Sequence, residues 1–468
     1  MTRWTVVAGA ALLAGCAGTA PPLSTPPPLA LPQQWQTRLD ATAPQRPDWW
    51  RDFGDPVLAQ WVEAALANNT DIATAVARVR EARAQEQVAR SQRWPTLDLA
   101  VGATRSRSLD PLGRPTESTG AQPLFQAAYE VDLFGRIADQ VRAAEAGSVA
   151  TEQARDAVAL GVAAAAASGY VTLRVLDARL EILHETLRSR EDSLRLAARR
   201  AAVGYTSDLE WRQAQAEYEA TAQQLPQAEA AIARQEHALS VLAGQVPGPV
   251  RRGAALQALA LPPVPPALPS ELLRRRPDIA QAESTLAASD ATLAAARAQF
   301  LPQLRLTATA GQVFASSLND PVTIWTLGAS VLAPIFSAGR LRAQADVAAA
   351  RRDQAAWAYQ RTVLVALREV EDNLSAVARL REQRAHLQAQ REAVSEAWRH
   401  AANRYQAGYS SYLEQLDAQR SLLAAELALV QSVGDELNAM VALHQAMGGG
   451  WESGGAENER STRWPRSR

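Results

Sequence analysis

The chain has 468 residues, with 48 Lys and Arg against 49 Asp and Glu. A formal net charge of −1 gives no case for nucleic acid or another polyanion as partner. A single Cys excludes a disulfide framework or a multi-cysteine metal site. Ala, Leu, Gln, Arg and Glu dominate the middle of the chain, and aromatics are scarce, which favours long helices over compact sandwiches.

Residues 1–15 carry one Arg before an apolar run too short to span a bilayer as a helix, and they predict a processed export signal. Leu13-Ala14-Gly15-Cys16 resembles the bacterial lipoprotein signal. That resemblance implies that Cys16 becomes the first mature residue and is acylated, palmitate included, with a plain signal peptide as the alternative. Ala17 in place of Asp implies the outer membrane. Residues 16–46, rich in Pro, Ser and Thr, predict a lipidated tether.

The body is duplicated. Asp71 to Pro95 lies over Asp278 to Pro302 without a gap, with nine identities in twenty-five positions. The first repeat, 71–244, predicts a helix over 71–93, two alternating strands, a helix from Gly135 to about Val203 and a helix over 207–243. In the strands, Leu97, Leu99 and Val101 alternate with polar or small residues, as do Phe125, Ala127, Tyr129, Val131 and Leu133. Residues 245–277 form a Pro-rich linker.

The second repeat, 278–447, predicts helix 278–300 and then strands marked by Leu304, Leu306 and Ala308, and by Trp325, Leu327, Ala329 and Val331. A helix from Gly339 to about Ala407 and a helix over 411–446 follow. Each long helix runs about 100 Å at 1.5 Å per residue, with apolar steps of three and four that signal coiled-coil packing. Residues 448–468 lack periodicity and predict a disordered tail.

Four strands alone would leave two raw edges, which closure into a barrel across several subunits removes. Gly204-Tyr205 and Gly408-Tyr409 stand 204 positions apart and predict matching turns at the tips of two helical hairpins. Ser207 and Ser410 are positioned to cap the returning helices. The competing reading is a duplicated helical spacer that never enters a membrane.

Five His residues at 184, 237, 386, 400 and 444 lack ligand spacing, and no phosphate loop or nucleophile elbow is present. No enzyme, cofactor or metal is expected.

The segments "YEVDLFGR" (129–136), "LRRRPDIAQAE" (273–283), "PIFSAGRLRA" (334–343) and "RYQAGYSSYLEQLDAQRSLLAAE" (404–426) together resemble the outer-membrane factors of tripartite efflux pumps. These are TolC-like channel lipoproteins of the NodT/OprM type. The resemblance implies a mixed α/β membrane protein, a trimeric channel-tunnel with a twelve-stranded outer-membrane β-barrel and a long periplasmic α-helical barrel. Segments 47–70 and 245–277 would girdle it as an equatorial belt.

It also implies a passive exit channel in a homotrimer, served by a periplasmic adaptor and an inner-membrane proton-driven transporter, with outer-membrane lipid around the barrel. An ATP-driven protein or peptide secretion system is the alternative use of such a channel.

By the same resemblance, Asp417 and Leu413 narrow the periplasmic tip, against the alternatives of a solvated acid and a buried seam residue. Arg404 and Tyr405 hold the closed state. Gly204, Tyr205, Gly408 and Tyr409 meet the adaptor. Pro95, Gly135, Arg136, Pro302, Gly339 and Arg340 mark the strand–helix junctions, with both arginines read as interfacial anchors. Asp278 is read as a helix cap and Arg274 to Arg276 as surface charge. The loops near 109–122 and 311–321 are expected to face the exterior.

Overall fold

The computed structural model describes residues 26, 29–37, 39, 46–109, 111–264, 268–316 and 318–451. The export signal, Cys16, much of the tether and residues 452–468 lie outside the described residues.

After a short 3-10 helix at Trp49–Phe53 come α1 (Pro56–Asn68), α2 (Thr70–Ser91), β1 (Thr96–Leu109) and β2 (Pro115–Val131). The long α3 (Arg136–Ala202) is followed by α4 (Asp208–Ala222), α5 (Gln224–Leu242) and the four-residue α6 (Leu272–Arg275). The second repeat supplies α7 (Pro277–Ala298), β3 (Gln303–Ala315), β4 (Val322–Leu332), α8 (Arg340–Gln406) and α9 (Tyr412–Ala446). Helices α3 and α8 are 67 residues each, and α2 and α7 are 22 each, so the duplication extends to element length.

The chain divides into two compact units. The first is built from Ala77–Glu152 and Gln281–Arg361 and holds the sheet. Its four strands are antiparallel in the order β1-β2-β3-β4. Because side chains alternate across a strand, register decides each face. Leu97, Ala127, Ala308 and Leu327 form one cross-strand row, and Leu99, Phe125, Ala310 and Trp325 the next. This face is apolar yet open, with Trp325 75% and Leu327 77% exposed. The opposite face carries the row Asp98, Gln126, Thr309 and Thr326.

The strands are longer than the sequence pattern marks. Much of the expected loop 109–122 continues the ladder, leaving a tight connection between Leu109 and Pro115. Backbone pairing does not depend on side-chain polarity, so the Arg- and Ser-rich stretch extends β1. There Arg105 reaches Glu117 on β2 at 3.2 Å.

The second unit is built from Leu29–Val76, Gln153–Ala280 and Thr362 onward. Its core joins Trp49, Trp50, Phe53, Leu58 and Val62 to Val162, Tyr170 and Val175 of α3. Leu256 and Leu259, with Val430, Leu437 and Val441 of α9, complete it. Helix α3 is long and apolar enough to cross a membrane by length and composition. Of its apolar window 56% is buried, and residues such as Val162, Tyr170, Val171 and Val175 pack into this core. Asp55 is buried at the centre, accepting from Val57 N at 2.7 Å, Tyr170 Oη at 3.0 Å and Ala254 N at 3.0 Å. A buried carboxylate is tolerated because each of its oxygens accepts at least one hydrogen bond.

Four expectations need correction. The helix over 207–243 is broken at Gln223, because Pro226 has no N–H for the Ala222 carbonyl. Asp278 lies inside the first turn of α7 rather than at its cap, and its carboxylate binds Arg276 and Ile279 N. Arg276 is not surface charge. It is buried and paired with Asp278 and Glu369, each at 2.7 Å, and it donates to the Ala446 carbonyl at 3.0 Å. At the expected disordered tail, Gly448–Trp451 are described. A Cβ on Gly448 would stand 1.8 Å from the Arg275 carbonyl, and Trp451 Nε1 donates to Asp156 at 3.1 Å.

Candidate functional site

The two hairpin tips share one backbone solution. Gly204 has φ 74° and Gly408 φ 81°, the left-handed state that glycine enters without a Cβ penalty. Gly204 N donates to the Ala201 carbonyl at 3.0 Å and Tyr205 N to Arg200 at 2.9 Å. Gly408 N donates to Tyr405 at 3.0 Å and Tyr409 N to Arg404 at 2.8 Å. This paired bonding is the Schellman motif, twice, in the same register.

Ser207 is the N-cap of α4 by position, and Ser411 rather than Ser410 is that of α9; neither makes a side-chain cap bond. Tyr205 and Tyr409 are exposed. The Tyr205 hydroxyl lies 3.4 Å from where a Cβ on Gly408 would stand, so the two tips meet.

Behind the turns lies a buried cluster of Ala197, Ala214, Tyr405, Tyr412 and Leu416. The Tyr405 and Tyr412 rings are 5.5 Å apart. Burial pushes the Tyr412 phenol up to about 12 and raises that of Tyr405, with the Glu210 carboxylate adding to the latter. Both phenols therefore stay protonated across ordinary pH.

Arg404 is half exposed and reaches Glu414 at 3.3 Å, tying the end of α8 to the start of α9. Leu413 and Asp417, one turn apart, share an exposed face, while Tyr412, Gln415, Leu416 and Gln419 are buried. Within one subunit the buried-seam alternative for Leu413 does not hold, since it is 60% exposed.

The pattern of motifs did not mark the seam between α3, α4 and α9. Arg190, 4% exposed, bonds to the Glu217 carboxylate at 3.0 Å and carbonyl at 2.8 Å. Arg420 of α9 binds the same carboxylate. Gln415 donates to Ser193 Oγ at 3.1 Å and Gln419 to Ser189 Oγ at 3.0 Å. The available signal was that these residues recur at four-residue spacing on facing helices, without an apolar partner.

At the strand–helix junctions, Gly135 and Gly339 have φ 74° and 81° and precede α3 and α8 directly. Pro95 and Pro302 stand just before β1 and β3. Arg136 clamps Glu130 of β2 at 2.7 Å, and Asp132 accepts from Ala138 N at 2.7 Å. Arg136 is thus a strand-to-helix staple, whereas Arg340 is exposed and reaches Gln344 at 3.3 Å. Among the described residues no group of three or more His, Cys, Asp or Glu could hold a metal ion.

A comparison with family profiles matches residues 61–245 and 268–449 to the outer membrane efflux proteins. The chain belongs to this family. The solvent efflux pump outer membrane protein SrpC of Pseudomonas putida is 36% identical over 410 residues, covering 85% of this chain and 86% of that one. The pyoverdine export outer membrane protein OpmQ of Pseudomonas aeruginosa is 35% identical over 476 residues, covering 97% and 98%. The solved outer-membrane channel OprN superposes with a TM-score of 0.84 at 31% identity, covering 91% of this chain and 99% of that one.

This outer membrane efflux protein is therefore a channel component of an efflux pump, and its fold is the mixed α/β fold of the TolC-like channel-tunnels. It resides in the outer membrane with a large periplasmic helical part. Family members are channels and not enzymes.

Proposed function

We propose that three copies of this chain close their sheets into one twelve-stranded barrel. This homotrimer passes small molecules from an inner-membrane proton-driven transporter, through a periplasmic adaptor, to the exterior. The observation that carries the reading is the sheet. Its apolar face is open, and among the described residues β1 and β4 each pair on one side only. In lipid, backbone donors and acceptors must be satisfied within the protein, so such edges require closure by further copies.

The tip supplies the gate. Asp417 repeated about a threefold axis forms an acidic ring, and Leu413 supplies its apolar neighbour. Arg404 and Tyr405 hold the resting state. Gly204, Tyr205, Gly408 and Tyr409, small or exposed at the turns, form the adaptor-docking surface. Segments 47–70 and 245–277 form the equatorial belt, and acylated Cys16 anchors the chain to the membrane.

Two relatives of nearly equal identity carry names of unlike cargo, a solvent pump and a pyoverdine exporter. This supports a generic conduit whose cargo is chosen by the transporter.

The test is affinity purification from the native envelope after mild crosslinking, read by mass spectrometry. An adaptor with a proton-driven transporter is the expected catch. An ATP-driven exporter in their place would move the cargo to proteins or peptides, and no inner-membrane partner at all would remove the adaptor and transporter assignment.

A further inference from the structure

Arg200, in the last turn of α3, reaches across to the facing hairpin. Its Nη1 donates to the Tyr405 carbonyl at 3.3 Å and its Nη2 to the Gln406 carbonyl at 3.1 Å. Both acceptors lie in the last turn of α8, where helix carbonyls lose their own backbone donors. The Tyr405 carbonyl also accepts from Gly408 N, so the guanidinium adds to a group the turn already uses. The same guanidinium carbon sits 4.8 Å from the Tyr405 ring centre and 5.7 Å from that of Tyr205. One cation therefore grips two rings, two carbonyls and the negative end of the facing helix dipole.

The duplication makes this informative. The residue 204 positions on is Arg404, which turns instead to Glu414 within its own hairpin. One of two repeat-equivalent arginines closes a hairpin, and the other joins the hairpins.

We infer that Arg200 is a positioning residue of the gate, a clasp that ties the α8/α9 tip to the α3/α4 tip and sets the resting closed population. This rests on the channel reading proposed above. Any swing of α8 and α9 away from α3 parts both carbonyl bonds and the Tyr405 ring contact together, so closing is favoured by all three at once. The planar fork of arginine is required. A lysine ammonium keeps the charge but lacks the two-pronged geometry.

The test is resting open probability of the purified trimer in planar bilayers. Arg200→Ala is expected to raise it about tenfold, the scale of a lost charge-assisted hydrogen bond, and Arg200→Lys is expected to stay leaky. The exposed neighbour variant Arg199→Ala is expected to match wild type. Tyr405→Leu placed on Arg200→Ala adds little, because the two act as one unit.

A purely structural role would instead lower the trimer's melting temperature at unchanged open probability, or give additive effects, and either result overturns the clasp. Wild-type conductance from Arg200→Ala overturns the clasp and leaves the channel standing. A wild-type trimer that never conducts, in any variant, overturns both.

Discussion

Arg276 and Glu369 lie 2.7 Å apart and join the segment between the repeats to the middle of α8. Arg276 also holds Asp278 and the last carbonyl of α9, that of Ala446. Removing a buried partner leaves charge without compensation. Arg276→Ala is expected to cost about 3 kcal/mol, the lower end because both carboxylates are more than a third exposed. Exposed Arg274→Ala should stay within about 0.5 kcal/mol of wild type. Chemical denaturation of the two variants decides this, and equal losses would remove the special role of Arg276.

Gly434, within α9, is a close-contact position. A Cβ there would stand 2.2 Å from Val175 Cγ2 on α3. Gly434→Ala is expected to destabilise by about 1–3 kcal/mol through overpacking. Adding Val175→Ala should recover most of the loss. A fully stable Gly434→Ala protein would mean that the two helices part there at little cost.

His444 is 1% exposed and stacks on Trp49, with ring centres 5.3 Å apart and planes at 6°. Burial pushes its pKa down to about 4 from 6.5, with the Pro263 backbone acting the other way. As pH falls below 6.5 the unfolded chain takes up this proton first. Stability is therefore intact above about 6.5 and declines until about pH 4, by about 3 kcal/mol in total. His444→Phe keeps the stacking and should flatten that part of the curve. Melting temperature across pH 4 to 7 is the readout, and identical slopes would reassign the acid sensitivity.

At the tip, Asp417→Asn is expected to lower cation selectivity, read as a shift of reversal potential under a salt gradient. Leu413→Ala should raise conductance by widening the apolar neighbour of the ring. A reversal potential unmoved by Asp417→Asn would make Asp417 a solvated helix-surface acid.

Arg404→Ala breaks the 3.3 Å pair with Glu414. That variant and, separately, Tyr405→Phe are each expected to leave the channel leakier and cells more antibiotic-sensitive. Unchanged conductance and sensitivity in both would remove these residues from the latch.

Much of this protein was legible in its sequence. The duplication, the strand pairs, the two uninterrupted long helices and the glycine turns follow from periodicity and the local demands of backbone geometry. These are short-range properties. The Schellman turns at Gly204 and Gly408 need only one residue free of Cβ constraint at the right place.

What the sequence could not supply is the set of partners brought from far along the chain. Arg276 sits in a run of three arginines, and nothing local separates the buried one from its more exposed neighbours. Arg200 and Arg404 occupy equivalent positions in the repeat, yet one grips the facing hairpin and the other its own. Arg190 and Glu217 look like ordinary helix-surface charges until α9 covers them and Arg420 completes the set. An ionic side chain's role is fixed by which opposite charge lies within a few ångströms and how far water is excluded. Packing between distant segments determines both, so only the tertiary structure decided them.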